Sequence, residues 1–305
     1  MNRLSRANFD RALRYISEHG SDLHRALAAH FFGPGDSEPV RRALASHRNE
    51  DGGFGHGLEP DFYLPDSSPM ATSIGLQILA DLETPASDPW VESALRYLVH
   101  TRDDSLALWP PVPPSVVNFP HAPWWKPRPR PAAELALNPT AELVGYFFRW
   151  WEAGVAAPVQ EWLDETQRQI LSLQTMEPHD LMCCVRLAES PGVPREAQSV
   201  IAEHLLGLVG GAVETDPTAW DTYGVKPLTA APRPDSLLSP ALAKPIAQQL
   251  EYELGRQDES GAWQPHWDWG ESYPDVWVSV RPVVAADNTL RTLRALSAWD
   301  YVEAG

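Results

Sequence analysis

Cysteine, lysine and long apolar runs are what this chain has least of. Its two cysteines, Cys183 and Cys184, are neighbours in sequence. Adjacent cysteines bridge each other poorly, so a disulfide framework is excluded. Three lysines stand against 21 arginines, a bias of overall composition rather than of function. Together these cations face 41 acidic residues, for a net charge of −17. A phosphate backbone needs clustered cations, so nucleic acid is not an expected partner. No stretch is long and apolar enough to span a membrane, and Met1–Asn8 lacks the apolar core of a signal peptide. The expected location is cytoplasmic. Neither a Gly-x-Ser-x-Gly nucleophile turn nor a glycine-rich phosphate loop occurs, so no cofactor is expected.

What is abundant is tryptophan and proline, 13 and 30 residues respectively. Tryptophan supplies large buried area and a π face. The prolines concentrate in Trp109–Pro131 and Pro227–Pro240, read as ordered long loops because both stretches stay hydrophobic. Elsewhere apolar residues recur at helical spacing. Met70, Ile74, Ile78 and Leu82 share one face, as do Ile246, Leu250 and Leu254. Helices are expected near 6–18, 21–31, 38–48, 68–83, 88–101, 138–153, 157–174, 178–190, 194–208, 239–256 and 285–300. A short strand over Val276–Val284 competes with Pro282. The segments opening at Asp66, Asn138, Pro178 and Asp287 each set a capping side chain before an apolar run.

A phrase recurs along the chain: a helix, a turn of acidic residues and glycine, an aromatic, then another helix. Its clearest copies are Gln257-Asp258-Glu259-Ser260-Gly261-Ala262-Trp263 and Asn49-Glu50-Asp51-Gly52-Gly53-Phe54-Gly55, with weaker ones ending at Trp109 and Trp220. Repetition on this scale means stacked helical hairpins, none able to bury its apolar face alone. Gln-x-x-x-Gly-x-Trp resembles the QW repeat of squalene and oxidosqualene cyclases. Asp-Gly-Gly-Phe-Gly is similar to the glycine-rich turn of those cyclases and of protein prenyltransferase β subunits. The resemblance implies an all-α fold, an α/α toroid of about five or six hairpins forming one domain over residues 1–305. It also implies a cavity for a small apolar or isoprenoid substrate.

The richest chemical segment is 50–66, with five carboxylates and His56 held between glycines and prolines. Asp51 suits a structural turn. Glu59, Asp61 and Asp66 lie beyond it, and carboxylates crowded in an apolar cavity cannot all ionise, leaving one protonated. In squalene-type cyclases an aspartate of an Asp-x-Asp-Asp-Thr-Ala or Asp-Cys-Thr-Ala-Glu motif, opening an inner helix, protonates the substrate. Asp66 is similar in position, which makes it the expected acid, with Glu59 or Asp61 beside it. Trp220, Trp267, Trp269, Trp124, Trp125 and Tyr63 are expected to contact substrate, because ring faces stabilise carbocations and stack on sugars. Asp268 and Asp275 belong to the same acidic and aromatic stretch. Trp124-Trp125-Lys126-Pro127-Arg128-Pro129-Arg130 joins rings to cations that suit a diphosphate or carboxylate. Asp103-Asp104 has no third acid and is not a metal motif. His179, Asp180, Cys183 and Cys184 lack the spacing of a zinc set, so no metal is expected. Three activities stay open: a terpene-cyclase-like cyclase or isomerase, a carbohydrate-active α/α-barrel lyase or hydrolase pairing Glu59 or Asp61 with Asp268 or Asp275, and a non-catalytic toroid binding a lipid or peptide. The oligomeric state is left unassigned.

Overall fold

The computed structural model describes residues 2–126 and 137–303. The fold class is all-α. The helices are α1 (Arg6–His19), α2 (Asp22–Phe32), α3 (Glu38–Ala45), α4 (Pro69–Asp81), α5 (Pro89–Thr101), α6 (Leu137–Arg149), α7 (Val159–Ser172), α8 (Pro178–Glu189), α9 (Arg195–Ala212), α10 (Pro227–Ala230), α11 (Ala243–Arg256) and α12 (Pro274–Ala298). Among the described residues β pairing is limited to isolated bridges. No helix among them is long and apolar enough to cross a membrane.

Helix starts follow the capping residues. Ser5, Ser21, Ser68, Asp88 and Glu177 each accept a backbone N–H from the first turn they precede. α12 starts earlier than its periodicity suggests and absorbs Val276–Val284, so the competing strand is not formed. Pro282 lies inside this helix and leaves the carbonyl of Val278 without its helical donor. Val278 is 75% exposed, so water can replace the lost bond.

The helices pack as two compact units, Met1–Ser46 with Val213–Gly305, and His47–Ala212. In the first, α1 packs on α2 and α12, and α10 on α11. Its two chain ends are tied by Leu4, whose N–H donates to Tyr301 O at 2.8 Å while its carbonyl accepts from Glu303 N at 3.0 Å. In the second, α6 packs on α4, α7 and α8, and α8 on α9. In that unit Trp109 stacks on Phe147 and Trp162 meets both edge-on, with ring centroids 5.1–6.2 Å apart. Each buried tryptophan contributes roughly 4–6 kcal/mol of gross transfer free energy. Arg102 lies over Trp109 and Trp162 and bonds Glu165 at 2.9 Å.

The recurring turn is one hydrogen-bonded device. Asn49 N donates to Gly53 O, and Asp258 N to Ala262 O, both at 3.0 Å. The aromatic that follows donates its own N–H to a threonine of the next long helix. Phe54 bonds Thr72 Oγ1 at 3.0 Å, Trp109 bonds Thr140 at 3.1 Å and Trp263 bonds Thr289 at 3.1 Å. Indole N–H groups close the other side, Trp109 to Leu98 O at 2.7 Å and Trp263 to Glu253 O at 3.0 Å. Gly52 and Gly261 take φ of +92° and +96°. A Cβ on either would sit within 2.6 Å of backbone, at Ser93 or Arg11, so only glycine fits. The copy ending at Trp220 departs: its backbone N–H turns back to Pro217 O at 3.4 Å.

Candidate functional site

Two loops of the second unit pair side by side. Phe62 and His121 form an antiparallel bridge. Tyr63 N donates to Pro120 O, and Ala122 N to Asp61 O, both at 2.8 Å. Phe62, fully buried, sets its ring edge-on to Trp125 at 5.2 Å. Ser115 Oγ donates to Asp66 Oδ2 at 3.3 Å. This pairing brings the loop that carries Glu59, Asp61, Tyr63 and Asp66 beside the loop that carries Trp124 and Trp125. Proline fixes much of the path, at Pro60, Pro65, Pro114, Pro120 and Pro123.

The face is open and amphipathic. Trp124 is 48% exposed and Tyr63 38% exposed. Glu59 and Asp61 are half-buried, and Glu59 Oε1 accepts from Asp61 N at 3.3 Å. Burial, and secondarily the charge of Asp61, push the Tyr63 phenol up. The Trp125 indole N–H is buried with no acceptor among the described residues. Asp66 does not have the place expected of a protonating acid. Ser68 caps α4 instead, accepting from Ala71 N at 3.1 Å, and Asp66 points to solvent. Among the described residues the apolar enclosure that alkene protonation requires is therefore not present around it. Arg128 and Arg130 lie outside the described residues.

A buried polar cluster lies one turn into α4. The Glu142 carboxylate is 2% exposed and joins three helices. It accepts from Ser73 Oγ, from Gln77 Nε2 at 3.1 Å and from Arg186 at 2.7 Å. Arg186 has 34% of its side chain exposed, and its pairing with Glu142 holds it firmly protonated against burial. Burial, then the charge of Glu142, push the nearby Tyr146 phenol up. Sequence reasoning treated Asn138–Glu142 only as a helix start. The available signal was that Glu142 is the one charged residue of α6 before Arg149.

The remaining expected residues fall in the first unit and divide by burial. Trp220 and Trp269 have no accessible surface, so neither offers a face to a ligand; both are core. Trp220 donates its indole N–H to Glu214 O at 2.9 Å and Trp269 packs on Trp277 at 5.6 Å. Trp267 is half-buried with its ring 6.1 Å from Tyr223. Asp268 is exposed and accepts from Gly270 N at 2.8 Å. Asp275 is exposed in the first turn of α12.

Around α8 the possible metal ligands have structural tasks. Asp180 accepts from Asn138 N at 2.7 Å and Cys183 Sγ donates to Asn138 Oδ1 at 3.4 Å. Burial pushes both thiols up, against thiolate chemistry. Among the described residues no group of His, Cys, Asp or Glu is placed to hold a metal ion.

No protein family matches the chain, and no curated protein matches its sequence.

Proposed function

We propose that this protein recognises a carbohydrate on the loop face of its second unit and acts there as a carbohydrate-active or carbohydrate-binding protein. One observation carries the reading: the Phe62–His121 pairing puts two accessible rings, Tyr63 and Trp124, on the same loops as Glu59, Asp61 and Asp66. Ring faces stack on the C–H faces of sugars, and carboxylates accept sugar hydroxyls. A carboxylate pair is also what glycoside cleavage requires. Glu59 and Asp61 are the pair for that role, and Asp66 stays a hydroxyl acceptor. The test is calorimetry with neutral oligosaccharides on wild type and on Trp124→Ala and Asp61→Asn. The reading expects saturable binding weakened by both substitutions. No binding to a broad oligosaccharide panel contradicts it.

A second reading keeps the apolar or isoprenoid ligand. It is favoured by an open cleft of about 510 Å³ in the same unit, lined by Leu95, Phe147, Phe148, Trp150, Trp151 and Val155 among others. The threonine-anchored turns, recurring at Phe54, Trp109 and Trp263, support the α/α toroid that the cyclase resemblance implies. Protonation by Asp66 has no such support. A prenyl alcohol that binds wild type but not Trp151→Ala would favour this second reading.

A further inference from the structure

The first unit holds a concentrated group of ionisable side chains that the proposed function leaves unused. They come from the segment 221–226, from α11 and from the turn that follows it. Lys226 is 6% exposed, and its ammonium donates to Thr222 O at 3.0 Å. Arg256 bonds Asp221 Oδ1, which also accepts from Tyr252 Oη at 2.8 Å. The other end of the same guanidinium approaches His266 Nε2 at 3.3 Å. Below them the buried Glu253 accepts from Gln249 Nε2 at 2.8 Å.

Three features of this group point to a missing anion. First, Arg256 Nε and the indole Nε1 of Trp267 are buried and find no acceptor among the described residues. A buried donor without a partner is costly, and native structures provide one, often an ion or ordered water. Second, cations prevail at His266. Burial, then the charges of Lys226 and Arg256, push its imidazole down to about 4, and this outweighs the opposing Asp221. Asp221 opposes them through a backbone hydrogen bond and then through the charge of its carboxylate, whose side chain is 69% exposed. Third, Lys226 has been taken out of water, which depresses its own ammonium even though the charges of Glu253, Asp221 and Glu214 oppose this. A desolvated cation gains more from an anion than an exposed one does.

We propose that Lys226, Arg256, His266 and the indole N–H of Trp267 form an oxyanion site that takes a phosphate group. Arg256 and Trp267 donate N–H groups to the anion, and Lys226 supplies charge. Tyr223 is 58% exposed, and with Trp267 it gives the site an aromatic rim for the organic part of a phosphomonoester.

The test is a histidine-resolved NMR titration of the wild-type protein with and without inorganic phosphate, paired with calorimetry using phosphate, sulfate and phenyl phosphate. A bound anion should raise the His266 pKa by about a unit or more. Lys226→Met should weaken phosphate about 10- to 100-fold. If that variant fails to fold, Arg256→Lys, which keeps the charge but loses the fork of donors, should weaken it instead, and the wild-type titration needs neither. Phenyl phosphate binding more tightly than phosphate supports an organic phosphate as the ligand; equal affinity supports the free ion. No heat of binding at millimolar phosphate, with an unmoved His266 titration, overturns the site.

Discussion

The backbone N–H of Trp109 donates to Thr140 Oγ1 at 3.1 Å, joining the turn after α5 to the helix that follows. Both residues are buried, so no water can take over that bond. Removing the hydroxyl leaves a buried N–H unpaired, at a cost of about 1–3 kcal/mol. Thr140→Val should therefore lower stability to urea by that amount. Thr140→Ser keeps the acceptor and should lose only about 1 kcal/mol, the share of one methyl group. Equal losses from the two would show that the hydroxyl is not what anchors the turn.

Two glycines of this chain should respond to alanine with opposite sign. Gly52, at φ +92° with Ser93 O 2.5 Å from any added Cβ, should lose more than about 1 kcal/mol on conversion to alanine. Gly207 lies inside α9 with open space around it, and Gly207→Ala should add roughly 0.5–1 kcal/mol. Urea midpoints measured on both variants check the pair.

Glu142 and Arg186 should behave as one unit. Arg186→Met strands a buried carboxylate and should cost about 2–4 kcal/mol. That is below the ~3–5 of a fully enclosed pair, because a third of Arg186 meets water. Adding Glu142→Gln should restore most of the loss, since the amide oxygen still accepts from Ser73 and Gln77. A double-mutant cycle in urea with no coupling energy would contradict the pairing.

Much of the fold was legible because its signals are local. Apolar spacing located nearly every helix, and Asp51-Gly52-Gly53-Phe54-Gly55 announced a turn that only glycine can make. What joins distant segments was not legible. Nothing near Phe62 indicates that it will pair with His121, so the gathering of Asp61, Tyr63 and Trp124 appears only in the fold. Asp66 and Ser68 both suit a cap, and geometry alone chose Ser68. Trp220 is rich in both packing area and π face; its fate was decided by Glu214 O and the ring of Tyr252, 5.2 Å away. Glu142 was hidden by an adequate local explanation, the start of α6.

Acid should reveal Asp287. Burial alone would raise its carboxyl, but Arg291, bonded at 2.7 Å, and then His24 hold it well below the usual carboxylate range. A carboxyl depressed in the folded state stabilises fully above its unfolded pKa of about 3.9 and loses that contribution as pH falls further. Wild type should thus exceed Asp287→Asn in stability at neutral pH, and the gap should narrow below about pH 4. Urea unfolding of both proteins across that range is the check; a gap independent of pH would refute the assignment.

The claim that the loop face is where this protein meets its ligand is tested most directly by following indole N–H resonances during an oligosaccharide titration. Trp124 is half-exposed on that face, whereas Trp109 and Trp220 have no accessible surface. The account predicts saturable shifts at Trp124 and Trp125, with Trp109 and Trp220 unmoved, and loss of the shifts in Asp61→Asn. Saturable oligosaccharide binding that leaves Trp124 and Trp125 unmoved would contradict it, as would shifts confined to Trp150 and Trp151 on adding a prenyl alcohol.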